Sequence, residues 1–265
     1  MRFPRSAALA GALPIAAGIL LTGAATAAPA SVNYAALGDS YSAGVGGGDY
    51  LMASGDCQRS PNSYAQLWAD SHHPASFDFE ACSGATTADV IANQLGGLNA
   101  NTSLVTITIG GNDVGFADVI ETCSIWSQAT CLDAIAQADA QVSTTLAGKL
   151  DKAYAAIKAH APNARLVVLG YPHVETSDAE AYCWIYADSR AALNAAADHI
   201  DAVIQARATA AGATYVDTRP YFAGHEVCTD VPWIHTVDAA TSDSYHPTAD
   251  GYAYADYPAL VSVTG

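Results

Sequence analysis

The sequence predicts an α/β domain in which helices cover both faces of a mostly parallel β-sheet. Three observations lead to this prediction. Short apolar runs rich in Val, Ile and Leu alternate with longer segments of helical periodicity. The runs are continuous, as expected of parallel strands buried on both faces. Small and polar residues follow several of them, at the edge where parallel sheets bind their ligands.

Five segments are predicted as strands. The first covers residues 34–37, and a weaker second covers residues 77–81. The clearest lies in NTSLVTITIGGND, residues 101–113, where two glycines end a β-branched run. The fourth, residues 165–172, is an apolar run stopped by Gly and Pro, and residues 213–220 supply the fifth.

Two long helices are predicted between the last three strands. Residues 131–161 place Leu, Ile, Val and Tyr at spacings of three and four. Residues 188–212 repeat this pattern, and Gly212 stands where the end of a helix favours glycine. Because helices alternate with strands, parallel pairing is the expected arrangement of the sheet.

Residues 1–30 are predicted to be a secretory signal peptide. Two arginines precede an apolar run that ends in an A-x-A motif at residues 25–27. A proline and a glycine interrupt the run, which argues against a permanent membrane anchor. Cleavage is predicted near Ala27 or Ala30. Residues 31–265 are then expected to form one secreted domain without an integral membrane segment.

The charge of the chain excludes some classes of partner. The sequence holds 10 basic and 26 acidic residues, and its net charge is −16. Removal of the leader with its two arginines makes the net charge −18. Such a surface repels nucleic acid and anionic membranes and keeps a protein soluble. We expect no nucleic-acid partner, and a monomer.

The six cysteines are expected to form disulfides. Their number is even, and the predicted leader directs the chain to an oxidising compartment. Their spacing alone leaves the pairing open. No C-x-x-C pair is present, which argues against a zinc ribbon or a thioredoxin-type site.

The polar residues that follow the strands have the composition of an acyl-transfer site. Ser40, in Gly-Asp-Ser after the first strand, can act as nucleophile, with His246 as its base. Asp243 can orient the imidazole. The backbone N–H groups of Ser40 and Gly84 and the side-chain amide of Asn112 can bind the oxyanion.

Each of these residues also has a purely structural interpretation. Asp39 before a helix is interpreted as an N-cap, and Ser40 taken alone can cap as well. Asn112 suits a tight turn. Glycine is common after a strand because it adopts backbone conformations that other residues avoid, which would account for Gly84. The histidines show no metal-ligand spacing; His235, on the loop before His246, can line the pocket.

Four sequence blocks carry a resemblance to a known family. GDSYS holds Ser40, CSGATT holds Gly84, GGND holds Asn112, and DSYHP holds Asp243 and His246. Together and in this order they resemble the SGNH (GDSL-like) hydrolases over essentially the whole mature chain. The chain is most similar to the secreted actinobacterial lipases, esterases and phospholipases of that family, which also have six cysteines.

The resemblance implies a fold, an activity and a set of disulfides. The fold is a three-layer α/β/α, flavodoxin-like domain with about five parallel strands. The activity is hydrolysis of carboxylic esters without a metal or an organic cofactor. The implied disulfides join sequence neighbours and would staple the loops around the site: Cys57–Cys82, Cys123–Cys131 and Cys183–Cys228.

The group that orients His246 is left open between two candidates. Asp243 fits the D-x-x-H pattern, and the resemblance implies the third member of the triad there. Some relatives instead orient the histidine with the backbone carbonyl two residues before it, which here belongs to Ser244. Asp243 is the preferred candidate.

The expected function is that of a secreted serine ester hydrolase acting on a small-molecule or lipid ester. The resemblance favours lipid-like acyl esters, as in a lipase or esterase. A carbohydrate acetyl esterase or a phospholipase A on the same site is the alternative. Two functions from other classes are disfavoured. A non-catalytic binding protein would lack the nucleophile or the base, and both are present. A metal-dependent hydrolase would need clustered His and carboxylate ligands, and the sequence shows no such cluster.

Overall fold

The computed structural model describes residues 1, 3, 4, 31–237 and 243–265. The chain divides into two units, Met1–Ala30 and Ser31–Gly265. Nearly all of the predicted signal peptide lies outside the described residues, so the leader and its cleavage site stay predictions. Among the described residues, no helix is both long and apolar enough to cross a membrane.

The described residues form one parallel sheet of five strands in the order β2-β1-β3-β4-β5. This is the flavodoxin-like order, in which the direction of winding reverses between β1 and β3. The predicted parallel sheet is therefore confirmed. The strands are β1 (Asn33–Gly38), β2 (Ser76–Phe79), β3 (Leu104–Thr108), β4 (Arg165–Leu169) and β5 (Thr214–Val216).

Helices of very different lengths connect the strands. The π-helical turns at Val90–Gln94, Val142–Leu146 and Tyr252–Asp256 each continue a preceding α-helix. The α-helices of the described residues are α1 (Ser40–Ala43), α2 (Tyr64–His72), α3 (Thr87–Asp89), α4 (Phe116–Ile125), α5 (Gln128–Gln141), α6 (Ala147–His160), α7 (Ala187–Ala210), α8 (Arg219–Phe222), α9 (Ala249–Gly251) and α10 (Tyr257–Thr264).

Side chains of the central strands alternate between two apolar layers. From β1, Ala35 and Leu37 pack into a cluster that contains the buried faces of α6 and α7. Tyr34 and Ala36 point the other way, into a cluster with residues of α2 and α10. The period of two that a strand imposes thus buries both faces of the sheet. The result is the three-layer α/β/α arrangement that the family resemblance implies.

The helix predicted over residues 131–161 begins earlier and is not uniformly α-helical. The Ser127 hydroxyl accepts a hydrogen bond from the Thr130 amide and caps the start of α5. Between α5 and α6 the chain passes through the π turn Val142–Leu146. There Thr144 and Thr145 donate their hydroxyls to carbonyls four residues earlier, a contact that competes with regular helical bonding.

The fifth strand is shorter than the predicted segment, residues 213–220. The Asp217 carboxylate accepts hydrogen bonds from the backbone N–H of Arg219 at 3.1 Å and from its Nε at 2.8 Å. Pro220 stands in the first turn of α8, where its fixed φ suits a helix. Local side-chain bonding therefore turns the chain away from the sheet after Val216.

Three disulfides connect the loops around the carboxyl ends of the strands. The structure joins Cys57 to Cys82, Cys123 to Cys131 and Cys183 to Cys228, the pairing that the family resemblance implies. The first bridges the segments after β1 and β2. The second links α4 to α5, and the third joins the segments after β4 and β5.

Candidate active site

Ser40 is the first residue of α1, at the point where the chain leaves β1. Gly38 has a φ of +120°, and a Cβ at this position would lie 2.3 Å from the carbonyl oxygen of Thr108 on β3. Only glycine suits such a close approach. Asp39 is an N-cap, as predicted, because its carboxylate accepts a hydrogen bond of 3.0 Å from the Tyr41 amide. Together they place Ser40 at the carboxyl edge of the sheet.

The Ser40 hydroxyl is hydrogen-bonded to the imidazole of His246. The distance from Ser40 Oγ to His246 Nε2 is 2.7 Å. On the other side of the ring, Nδ1 lies 3.0 Å from the carbonyl oxygen of Ser244. Since a carbonyl can only accept, Nδ1 carries the proton and Nε2 accepts from the serine. This is the tautomer that a general base for a serine nucleophile needs.

The carboxylate of Asp243 binds a different partner. The Tyr50 hydroxyl donates to Asp243 Oδ1 at 2.6 Å and accepts from the Gly46 amide at 2.8 Å. Desolvation of Tyr50, reinforced by the hydrogen bond to Asp243, raises the tyrosine pKa to about 12. The structure thus corrects the preferred orienting group for His246: its Nδ1 bonds to the Ser244 carbonyl. Asp243 acts on the ring through its charge, which raises the imidazole pKa.

Replacement of Asp243 by asparagine is expected to lower kcat/KM less than about tenfold. The reason is that Asp243→Asn leaves the Ser244 carbonyl in place and keeps an acceptor for Tyr50. A carboxylate that held the imidazole would cost roughly 10⁴-fold when neutralised. Steady-state kinetics of Asp243→Asn beside Tyr50→Phe would check this. A loss near 10⁴-fold would show that the carboxylate holds the ring during turnover.

Burial controls the basicity of His246. Desolvation lowers the pKa of its imidazole to about 4, although the bond to the Ser244 carbonyl and the charge of Asp243 raise it. The charge of the nearby His235 lowers the pKa further. The imidazole is therefore neutral, and able to accept the serine proton, over nearly the whole pH range in which the protein would work.

The acid limb of kcat/KM is expected near pH 4 rather than near the ordinary histidine pKa of about 6.5. With His246 as the predicted base, activity is expected to require the neutral imidazole, so it is present above the lowered pKa and is lost as the pH falls through it. A pH profile on a soluble ester, with unfolding followed by circular dichroism at each pH, measures this limb. A limb at pH 6 to 7 in the folded enzyme would contradict the expected desolvation.

Backbone hydrogen bonds hold the loop that carries His246. The His235 amide donates to the His246 carbonyl, and the Tyr245 amide donates to the His235 carbonyl, both at 2.9 Å. The Tyr41 hydroxyl donates to the Tyr245 carbonyl at 2.6 Å. His235 Nε2 lies 2.9 Å from the Gly46 carbonyl, to which it donates. His235, expected as a pocket-lining candidate, therefore supports the His246 loop.

Glu175 is a supporting residue that the sequence pattern did not identify. The Tyr245 hydroxyl donates to Glu175 Oε1 at 2.9 Å, and Glu175 is buried. Asn194 Nδ2 on α7 donates to the Glu175 carbonyl at 2.7 Å. Desolvation raises the pKa of the Glu175 carboxyl to about 7. Nothing in the sequence distinguishes Glu175 from Asp178 and Glu180, the acidic residues that follow it in the same segment after the fourth strand.

A second buried carboxyl, that of Asp39 next to Ser40, connects the ends of three strands. Tyr171, just after β4, donates its hydroxyl to Asp39 and accepts a hydrogen bond of 3.0 Å from the Gly111 amide after β3. Desolvation raises the pKa of Asp39 to about 7. The sequence pattern assigned Asp39 only its role as a cap, since its contact with Tyr171 spans 132 positions of the chain.

The predicted oxyanion donors lie at this edge of the sheet. The Ser40 amide opens α1, and the first N–H groups of a helix have no partner within the helix. Asn112 Nδ2 donates to the Ala85 carbonyl at 3.0 Å, which places the amide against the turn that contains Gly84. Gly84 has a φ of +75°, a conformation that favours glycine. An amide nitrogen has two hydrogens, so Asn112 can also donate to an oxyanion.

A cavity of about 440 Å³ adjoins Ser40 and Asn112, whereas Gly84 is not part of its lining. Ser40, Asn112 and His246 line it together with side chains that are mostly apolar. An apolar cleft with a few converging polar groups is typical of a small-molecule site. The large apolar members of the lining are Phe116, Ile120, Ile125, Val174, Ile200 and Val237.

Within the described residues, one group has the proximity of metal ligands. It consists of Glu175 with Cys183 and Cys228. The two sulfur atoms are bonded to each other, so neither is a thiolate that could bind a metal.

Comparison with known proteins identifies the family of the chain. Residues 36–254 match the GDSL-like Lipase/Acylhydrolase family. Lipase 1 of Streptomyces coelicolor is 48% identical over 265 residues, which cover 98% of each chain.

Two solved structures have the same fold at similar identity. The extracellular lipase of Streptomyces rimosus is 49% identical with a TM-score of 0.86, and the match covers 88% of this chain and 100% of that one. Phospholipase A1 of Streptomyces albidoflavus is 48% identical, also with a TM-score of 0.86, and the match covers 88% and 99% of the two chains.

Proposed function

We propose that Ser40 is the nucleophile and His246 the general base of this chain. The chain belongs to the GDSL-like lipase/acylhydrolase family and is a carboxylic ester hydrolase. The observation that carries this proposal is the 2.7 Å contact between Ser40 Oγ and His246 Nε2 at the wall of the cavity. A nucleophile and base within hydrogen-bond reach, with the base itself oriented, are the geometric signature of covalent acyl transfer.

In the proposed mechanism Ser40 Oγ attacks the ester carbonyl while its proton passes to His246 Nε2. The tetrahedral intermediate collapses, and His246 returns the proton to the leaving alcohol, which leaves an acyl group on Ser40. Water then attacks the acyl group and gives its proton to His246, and the bond to Ser40 Oγ breaks as His246 returns the proton to Oγ and the acid is released. Throughout, the Ser244 carbonyl accepts from Nδ1 and stabilises the transient imidazolium.

The negative charge that develops on the carbonyl oxygen is held by fixed donors. The proposed donors are the backbone N–H groups of Ser40 and Gly84 and Nδ2 of Asn112. Asn112 is held in place by its bond to the Ala85 carbonyl, and the Ser40 amide by the cap that Asp39 forms. Donors fixed before the reaction require no reorganisation as the charge appears.

The proposed substrates are esters with a lipid-like acyl chain. Support comes from the apolar side chains that line the cavity next to Ser40. A volume of about 440 Å³ exceeds what an acetyl group fills, which disfavours the alternative of a carbohydrate acetyl esterase. A phospholipase A remains the second candidate, because a structural neighbour at 48% identity is a phospholipase A1.

Secretion belongs to the same proposal. Residues 1–30 would act as the signal peptide, and residues 31–265 as the extracellular enzyme. The three disulfides suit an oxidising compartment, and a structural neighbour is described as an extracellular lipase. N-terminal sequencing of protein from the culture medium is expected to begin near residue 28 or 31. A medium without the protein would contradict secretion.

Hydrolysis of p-nitrophenyl esters from acetate to palmitate tests the acyl specificity. We expect kcat/KM to rise from acetate to medium or long chains, because each added methylene enters an apolar cavity. Phe116→Ala, which removes a large side chain from the lining, is expected to weaken this rise. A maximum at acetate would contradict the lipid-like substrate and favour the alternative of an acetyl esterase.

A further inference from the structure

Exposed apolar side chains lie beside the mouth of the cavity. Ile125, the last residue of α4, lines the cavity and is also 63% exposed, so it stands at the opening. Trp126 follows it and is 66% exposed. Large apolar groups are not normally left in water next to each other without a partner.

A second segment brings the ring of Trp184 to this place, and two further aromatic residues are its near neighbours in the chain. The Trp184 indole donates from Nε1 to the Ser124 carbonyl at 2.6 Å, which joins the segment before α7 to the end of α4. Trp184 is 77% exposed, and Tyr182 and Tyr186 on either side of it are also exposed. We call Ile125, Trp126, Tyr182, Trp184 and Tyr186 the mouth patch.

Disulfides hold both segments of the mouth patch. Cys123–Cys131 closes the turn that presents Ile125 and Trp126, and Cys183 lies between Tyr182 and Trp184 in its bond to Cys228. A backbone that is already fixed does not have to be ordered when it binds, which lowers the entropic cost of docking. The backbone of the mouth patch is therefore preorganised.

The charges beside the mouth patch determine which surfaces it can approach. Over residues 116–130 and 177–190, all of which the structure describes, the exposed charged side chains are acidic. The basic side chain in these segments, Arg190, is buried and donates to the backbone carbonyls of Ile185 and Asp178. An anionic surface would be repelled, whereas an uncharged or zwitterionic one would not. The acidic residues are Asp118, Glu121, Asp178, Glu180 and Asp188.

We propose that the mouth patch docks on the surface of zwitterionic lipid aggregates, so that an acyl chain passes from the lipid into the cavity without crossing water. Trp and Tyr rings favour this boundary because each combines an apolar body with a polar group. The patch is continuous with the apolar cavity lining through Ile125. The proposal rests on the proposed function, since it assumes a lipid-like ester as substrate.

Vesicle binding by an inactive form of the secreted enzyme tests the docking apart from the chemistry. Ser40→Ala is mixed with phosphatidylcholine vesicles, and the bound fraction is measured by flotation. We expect Trp126→Ser with Tyr182→Ser, added to this background, to weaken binding by about tenfold or more. These two side chains do not line the cavity. Trp184 is left unchanged because its indole donates a hydrogen bond to the Ser124 carbonyl. Tyr254→Ser removes a ring of similar exposure outside the mouth patch and should leave binding unchanged.

The same substitutions in the active enzyme separate docking from catalysis. Hydrolysis of soluble p-nitrophenyl butyrate should stay within about twofold, while hydrolysis of vesicle phosphatidylcholine or of an emulsified ester should fall in step with binding. Absence of any ester hydrolysis by the wild type would overturn the proposed function, whatever the vesicles show.

Three results would overturn the docking proposal. The first is equal vesicle binding with and without the two substitutions. The second is binding that strengthens when anionic phosphatidylglycerol is added. The third is a dimer in sedimentation velocity that Trp126→Ser dissociates, because the patch would then be an interface between two copies of the chain.

Discussion

Replacing Ser40 with alanine is expected to lower kcat by at least about 10⁴-fold with little change in stability. In the proposed mechanism the hydroxyl supplies the atom that forms the acyl-enzyme, so its removal abolishes that step. Its hydrogen-bond partner is His246, whose ring keeps its bond to the Ser244 carbonyl when the hydroxyl is removed. The measurement is kcat on a p-nitrophenyl ester, with thermal unfolding of both proteins.

The residual rate of Ser40→Ala is informative because the oxyanion donors remain. A small rate above that of water is expected from the backbone N–H at position 40 and the Asn112 amide acting on a bound ester. Ser76→Ala, on β2 away from the site, is the matched control and should keep activity within about twofold. Full activity in Ser40→Ala would overturn the nucleophile and, with it, the proposed acyl-enzyme route.

The second large effect is expected at Asn112. Asn112→Ala should lower kcat about 10²- to 10³-fold with a nearly unchanged KM, because the lost donor acts mainly on charge that appears in the transition state. The substitution also removes the bond from Asn112 Nδ2 to the Ala85 carbonyl. That loss should cost about 1 kcal/mol of stability. Separate values of kcat and KM, together with urea unfolding, check both parts.

Asn163→Ala provides a close control for Asn112→Ala. Asn163 Nδ2 donates to the Ala100 carbonyl at 2.9 Å, the same type of bond at an exposed place before β4. The control should lose stability without losing kcat. If Asn112→Ala raised KM and left kcat intact, the amide would bind the ester in its ground state, and the proposed oxyanion role would be wrong.

The parallel sheet and the meeting of the site residues at one edge of it could be predicted, because both follow from local patterns in the sequence. Continuous apolar runs marked the strands, and parallel strands bring the residues at their carboxyl ends to one edge of the sheet. Ser40 after β1 and Asn112 after β3 are therefore neighbours in space although 72 positions separate them in the chain. The shortened β5 escaped prediction because the Asp217–Arg219 contact competes with strand pairing at its end.

The orientation of His246 and its support could not be predicted in the same way. A backbone carbonyl is present at every position, so the acceptor at Ser244 leaves no mark in the sequence. The D-x-x-H pattern instead points to Asp243, whose carboxylate accepts from Tyr50. Glu175 is brought under Tyr245 by tertiary folding across 70 residues. Such contacts depend on packing geometry and have no periodic signal.

The carbonyl at Ser244 also affects how this enzyme can change by mutation. A side-chain acceptor disappears with a single codon change, but a main-chain oxygen survives every amino-acid replacement at its own position. Genetic drift at residue 244 therefore cannot delete the group that holds the imidazole, as long as the loop keeps its path. Selection then acts on the residues that shape this loop, such as Tyr41 and His235, more than on the orienting position itself.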